Sequence, residues 1–418
     1  MLSNCYFNIH LKKFYMHFNR LVLKVASRCN LNCSYCFMYN LGDSSFRNQP
    51  KFMKESMIPQ IIKRVANYLT EYPQEVFTFT FHGGEPLLID KTFFGKFITQ
   101  AAILKEQFPD ITFEYNVQTN GVLIDEAWAE VLREHKIFPG VSLDGTKKAH
   151  DMYRKDHKEN GSYDDVIKGL RLLKKQLGFV SVISVMNIDE SAKTTYKHLT
   201  DISSDYVNFL LPDYTHDSFP YQPKAMGKWL IELYNLWIAD ADRPIIPFFN
   251  GLTNAILGSQ KIARQEAHAL VIETNGDIEA IDSLKGCGES FTKTNMNIVT
   301  NDFKDITQLP LGKLYFEDST EKLCTKCLEC PVASICKGGR LVHRHKKENG
   351  FNNPSVYCED MILIISHVQN TMMDMIPSMY DDSISKMDAL EIIDYLNTLD
   401  MSSTKNIYKK DLEFFSMA

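Results

Sequence analysis

The chain has 418 residues, enough for two or three domains at roughly 150 residues each, and 44% hydrophobic residues, ample for a buried core, so disorder as its main character is excluded. Its 46 Lys and Arg stand against 52 Asp and Glu for a net charge of -6, and no basic run makes a phosphate-tracking stripe, which excludes nucleic acid as a main partner. Ten cysteines are too sparse for a disulfide scaffold, and seven crowd into residues 29–36 and 324–336, the pattern of metal ligation in a reducing compartment. The first 25 residues carry Lys12, Lys13, Arg20 and Lys24 around no apolar core, and no stretch reaches the about 18 apolar residues of a membrane span. No membrane partner and a cytoplasmic location are expected.

In chain order, β-rich runs at 21–26, 76–81, 112–117, 138–143, 180–186 and 206–210 alternate with helical patterns at 55–70, 92–105, 125–134, 163–177 and 192–202. That alternation predicts an α/β fold with a parallel sheet, closed or partly closed into a barrel, whose chemistry collects on the loops after the strands' C-terminal ends. Pro212, Pro220 and Pro223 break the pattern, and 224–240 reads as a helix with Trp229, Leu233, Leu236 and Trp237 on its apolar side. Beyond residue 271 long helical patterns thin out and six of the ten cysteines gather, with one more helix expected at 385–396. The expected organisation is an N-terminal segment 1–20, a barrel 21–222, a helical bridge 223–270, a small cysteine-rich domain 271–368 and a tail 369–418.

Cys29, Cys33 and Cys36 follow the first predicted strand with the spacing C-x3-C-x2-C. Three thiolates on one loop can hold three irons of a cubane and leave the fourth open to a ligand. Zinc is the alternative, although structural zinc wants four ligands and no fourth Cys or His lies near. The second strand runs into His82-Gly83-Gly84-Glu85-Pro86, where two glycines allow close approach to the backbone and Glu85 can fix an ammonium. The third and fourth end in Gln118-Thr119-Asn120-Gly121 and Ser142-Leu143-Asp144-Gly145, polar tips that are either ribose-binding groups or plain loop starts.

With Tyr35 between the last two cysteines, these motifs make residues 21–210 resemble the radical S-adenosylmethionine (SAM) superfamily. The resemblance implies a partial (β/α)6 barrel in which SAM chelates the open iron of a 4Fe-4S cluster and yields a 5'-deoxyadenosyl radical. It puts Gly83, Gly84 and Glu85 at the SAM amino group, Ser142 and Arg154 near the carboxylate or ribose, and Tyr35 and Met186 beside the adenine, with Gln118 and Asn120 as further cofactor contacts. It also implies a reducing partner such as flavodoxin or ferredoxin.

Cys327, Cys330, Cys336 and Cys358 offer four thiolates, a closed set for a second cubane or, on count alone, a zinc ribbon. Their spacing resembles the SPASM domain of peptide-modifying radical SAM enzymes, where such positions hold the outer auxiliary cluster. Ile281 and Arg340 stand where that pattern has cysteines of an inner cluster, so one auxiliary 4Fe-4S cluster is expected, with Cys287 and Cys324 left over. The stretch from Cys336 through His343-Arg344 to Asp360, with Asp282-Ser283-Leu284-Lys285, resembles the FxsB/GrrM branch, whose members install cyclophane crosslinks in ribosomally made precursor peptides; Lys337 departs from its usual glycine. The resemblance implies that His343 and Arg344 line the peptide path or form a buried structural pair. It implies Asp282 as the base that takes the proton when a Cβ radical joins an aromatic ring, with Asp144 in reserve. Peptide epimerases and thioether-forming maturases use similar parts, and a non-catalytic iron-sulfur or zinc scaffold is the alternative of another class.

Overall fold

The computed structural model describes residues 17–203, 205–258, 269–316, 322–376, 385–399 and 406–416. The six predicted strands form as β1 (Arg20–Ala26), β2 (Val76–Gly83), β3 (Thr112–Thr119), β4 (Ile137–Ser142), β5 (Ser181–Val185) and β6 (Tyr206–Leu210). They lie side by side in chain order, all parallel. The crossovers carry α1 (Ile58–Glu71), α2 (Thr92–Gln107), α3 (Glu126–Glu134), α4 (Lys147–Tyr153), α5 (Tyr163–Leu177) and α6 (Ala192–Ile202). α4 was not expected; its seven residues bury only Ala149 and His150, too little for an apolar period. The helix expected from residue 55 instead begins with a 3-10 turn, Glu55–Met57, before α1.

Strand alternation sorts the side chains. Phe77, Phe79 and Phe81 of β2 are fully buried, with Phe79 and Phe81 packing on α2 through Phe94 and Phe97, and Leu21, Leu23 and Val25 of β1 are buried on the same face. The opposite face therefore carries Lys24 and His82, which are register partners at the C-terminal ends of β1 and β2. Thr80 pairs with Asn116, so the same face receives Gln118 from β3.

After β6 come α7 (Ala225–Ala239), as expected, and α8 (Pro247–Ile256), which was not. Two short strands, β7 (Ala269–Ile272) and β8 (Ile278–Glu279), then extend the sheet. β7 pairs parallel with the free edge of β1, from Arg20↔Ala269 to Leu23↔Ile272, and β8 pairs antiparallel with β7. The division drawn at residue 271 thus runs through a strand of the barrel's own sheet. The cysteine-rich segment continues through short helices at Thr325–Leu328 and Ala333–Cys336 into the long helix Cys358–Met375, which packs on α7. The tail helix forms at Ala389–Thr398, where the Asp388 carboxylate caps the N–H groups of Leu390 and Glu391. Among the described residues no helix is long and apolar enough to cross a membrane.

Candidate active site

Cys29, Cys33 and Cys36 leave β1 on a loop that lies against the segment after α4, where Asn32 N–H donates to Lys155 C=O (2.7 Å) and Ser34 N–H to Tyr153 C=O (3.1 Å). Cys33 is buried and the other two half-buried. Burial pushes the Cys36 thiol up to about 11 and raises the other two as well. Asn120 Nδ2 stands 3.6 Å from Cys29 Sγ, and Arg154 lies against Cys33. Three thiols on one loop with a cation and an amide beside them fit an iron-sulfur cubane, whose coordination would take up the charge that burial disfavours.

Arg154, at the C-terminus of α4, is buried, and its guanidinium is held by Asp144 from the tip of β4: Nε to Oδ2 at 2.8 Å and Nη2 to Oδ1 at 3.4 Å. Tyr35 donates its hydroxyl to Asp144 Oδ2 and lies 5.4 Å from the guanidinium by its ring. Val185 N–H donates to Asp144 Oδ1 at 2.9 Å. With both oxygens occupied, Asp144 is built as a brace for Arg154, which is why it makes a poor reserve base. His150 supports it: Nδ1 accepts from Asp144 N–H and Nε2 meets Ser162 Oγ, and burial lowers its pKa to about 3, so it stays neutral.

Gly83 and Gly84 are required by the chain itself. A Cβ on Gly83, at φ +146°, would meet Ala26 C=O at 2.1 Å, and one on Gly84 would meet Tyr39 Oη at 1.9 Å. Glu85 is fully buried, and three donors occupy its carboxylate: Thr119 Oγ1 (2.7 Å), Asn120 N–H (2.8 Å) and Leu87 N–H (3.0 Å). The sequence suggested this carboxylate for a ligand's ammonium; here it ties the tip of β2 to the tip of β3. Burial raises its pKa to about 7 against the pull of the three bonds. Ser142 is buried at the end of β4, and Met186 is 2% exposed within the apolar core.

The groups brought together across the greatest distance are Lys24 and Asp282, 258 positions apart. Lys24 is completely buried; its ammonium pairs with Asp282 Oδ2 and lies 3.0 Å from His82 Nδ1 and 3.6 Å from Met38 Sδ. Burial alone would raise the Asp282 pKa, but Lys24 and His82 outweigh it and hold the carboxyl below the usual range. Burial and the ammonium lower His82 to about 4, so its ring is neutral at pH 7, and Gln118 is hydrogen-bonded to it. Sequence reasoning missed Lys24; its signal was a lone lysine among the apolar residues of β1.

Cys327, Cys330, Cys336 and Cys358 line one small cavity, walled by Val332, Ala333 and Ile362. An all-thiol donor set in an apolar wall fits a cubane. Among the described residues no three of the His, Cys, Asp and Glu side chains close to the spacing of a single metal ion's shell; cubane ligands stand farther apart, each on its own iron. Arg340, at an expected inner-cluster position, is ion-paired with Asp213 at 2.5 Å, while Cys287 and Ile281 lie in an apolar cluster with Leu284, Val342 and Phe351.

Residues 23–201 match the family model of the Radical SAM superfamily. Over 373 residues the chain is 29% identical to the cysteine-type anaerobic sulfatase-maturating enzyme of Clostridium novyi (strain NT), covering 81% of this chain and 92% of that one. The serine-type enzyme of Bacteroides thetaiotaomicron is 26% identical over 350 residues, 76% of this chain and 81% of that one. Among solved structures, histidine-tagged anSMEcpe with bound AdoMet matches with a TM-score of 0.71 at 25% identity, covering 85% of this chain and 98% of that one. Streptococcus suis SuiB bound to its precursor peptide SuiA shares the fold with a TM-score of 0.56 at 18% identity, covering 82% and 76%.

Proposed function

We propose that the chain is a radical SAM enzyme that modifies a side chain of a peptide or protein, joining a Cβ carbon to an aromatic ring of a precursor peptide. The observation that carries this reading is the Lys24–Asp282 pair, through which the segment leading to the second cysteine group places a carboxylate at the C-terminal ends of β1 and β2. Cys29, Cys33 and Cys36 would hold one 4Fe-4S cluster, and Cys327, Cys330, Cys336 and Cys358 the other. When bound, SAM and the two clusters supply a hydrogen-abstracting 5'-deoxyadenosyl radical and an acceptor for the electron left after bond formation.

The protein's own residues do the rest. Backbone groups of Gly83 and Gly84 and the guanidinium of Arg154 would hold the amino and carboxylate ends of SAM, Ser142, Gln118 and Asn120 would serve its ribose, and Tyr35 and Met186 would flank its adenine. Asp144 is a positioning residue that fixes Arg154. Asp282 takes the proton released when the ring regains aromaticity. Its Oδ2 stays on Lys24, and Oδ1, which no described residue bonds, receives the proton.

Length-spanning similarity to both cysteine-type and serine-type sulfatase-maturating enzymes favours a second reading, oxidation of a Cys or Ser side chain to an aldehyde by the same residues. Co-expression with the small open reading frames flanking the gene, followed by mass spectrometry, separates the two. A crosslink removes two hydrogens and leaves nothing reactive toward a hydrazide probe; an aldehyde reacts. Asp282→Asn should still cleave SAM in the presence of peptide yet give little product. Full product from that variant would remove Asp282 from the mechanism, and SAM consumption on a free metabolite with every peptide unchanged would overturn both readings.

A further inference from the structure

Arg344 is 4% exposed, yet no carboxylate stands against it among the described residues. Its Nη2 donates to the carbonyls of Lys322 (3.1 Å) and Phe351 (3.4 Å), and its buried Nε has no partner among the described residues. A guanidinium keeps its charge, and taken out of water it needs an anion. The groups within its field that can become anionic are the thiols of Cys327, Cys324 and Cys336. Its stem runs behind Gly338, a wall of the cysteine cavity: a Cβ there would lie 3.6 Å from Arg344 Cδ and 3.8 Å from Nη1. Cys324 stands on the same side, its Sγ 3.5 Å from Cys327 Sγ and outside the cavity lining.

Resting on the reading of this cavity as the auxiliary cluster site, we propose that Arg344 and Cys324 are the outer sphere of that cluster: a fixed counter-charge and an S–H donor to the Cys327 thiolate that together raise its reduction potential. Four thiolates leave an oxidised cubane with net negative charge, and reduction adds one electron and one more negative charge without making or breaking a bond. A buried cation and a donor to a ligand sulfur therefore stabilise the reduced state more than the oxidised one. This suits an electron acceptor.

The test uses the full chain with Cys29, Cys33 and Cys36 changed to Ala, reconstituted anaerobically with iron and sulfide, assayed for iron and titrated with dithionite and mediators under EPR. Arg344→Met should bind as much iron as its parent and titrate at a lower potential. Arg344→Lys should stay near the parent, and Cys324→Ala should keep its iron and also shift downward. Unchanged potentials in loaded Arg344→Met and Cys324→Ala would overturn the proposal, as would Arg344→Lys falling as far as Arg344→Met. Loss of iron from both Arg344 variants would make the residue a clamp on the Lys322 and Phe351 loops only, and loss from Cys324→Ala would make Cys324 a ligand. A parent protein without iron would instead refute the cluster reading itself.

Discussion

A lysine inside a strand ordinarily reaches water, but the Lys24 ammonium ends on Asp282, His82 and Met38. Removing either member of a buried ion pair strands the other, so Asp282→Asn and Lys24→Met should each lower the unfolding free energy by about 3 kcal/mol, and the double variant by clearly less than their sum. Denaturant curves of the four proteins check this; simple additivity would mean that the pair is not coupled. Asp282, half-buried, and Glu85, fully buried, have opposite pH signatures. Asp282 is held low, so its stabilisation is present above the unfolded carboxyl pKa of about 3.9 and is lost as pH falls through its lower folded value. Glu85 is raised from 4.5 to about 7, so the folded state binds the extra proton and loses stability as pH rises across that interval. In metal-free protein, the stability advantage of wild type over Glu85→Gln should fall by up to about 3 kcal/mol between those values. A flat difference would show that the three donors to Glu85 cancel its burial. The cysteines and polar strand tips could be read from the sequence because each cluster is local. The Lys24–Asp282 pair could not, because it is made by strand register and by a loop from the far end of the chain.

Most elements with a full apolar period were legible before the fold was known, but α8 and the 18-residue helix Cys358–Met375 were missed, as were the elements too short to have such a period. β1 to β6 each carry enough alternating or continuous apolar residues to declare themselves, whereas β7 and β8, with four and two residues, declare nothing. α4 is hidden in the same way, though it delivers Arg154 to the site. The contact between α7 and the helix Cys358–Met375 has a sharp steric condition: Gly227 N–H donates to Asp360 Oδ1 at 2.7 Å, and a Cβ on Gly227 would stand 2.9 Å from Asp360 Cα. Gly227→Ala should therefore cost about 1–3 kcal/mol by overpacking. Because the displaced helix begins with Cys358, the variant should also lose iron on gel filtration faster than wild type. Thermal unfolding with iron retention checks both, and wild-type retention with wild-type stability would show that the helices shift apart freely.

At the scale of the molecule, β1 sits between β2 and β7, so the barrel and the start of the cysteine-rich region share one sheet. The two cysteine groups are thereby attached to one continuous framework through β1, β7 and the long helix on α7, as the proposed passage of one electron from substrate to a second centre would require. The sequence marked both groups as runs of cysteines but drew a domain boundary through β7, since spacing does not reveal sheet partners. The most direct measurement is the iron and acid-labile sulfide content of the anaerobically reconstituted chain beside its Cys29, Cys33 and Cys36 triple alanine variant. Two cubanes require about eight irons in wild type and about four in the variant, which should form no 5'-deoxyadenosine. Zinc without iron, or a variant that keeps the wild-type iron content, would contradict the assignment of these cysteines and the chemistry built on it.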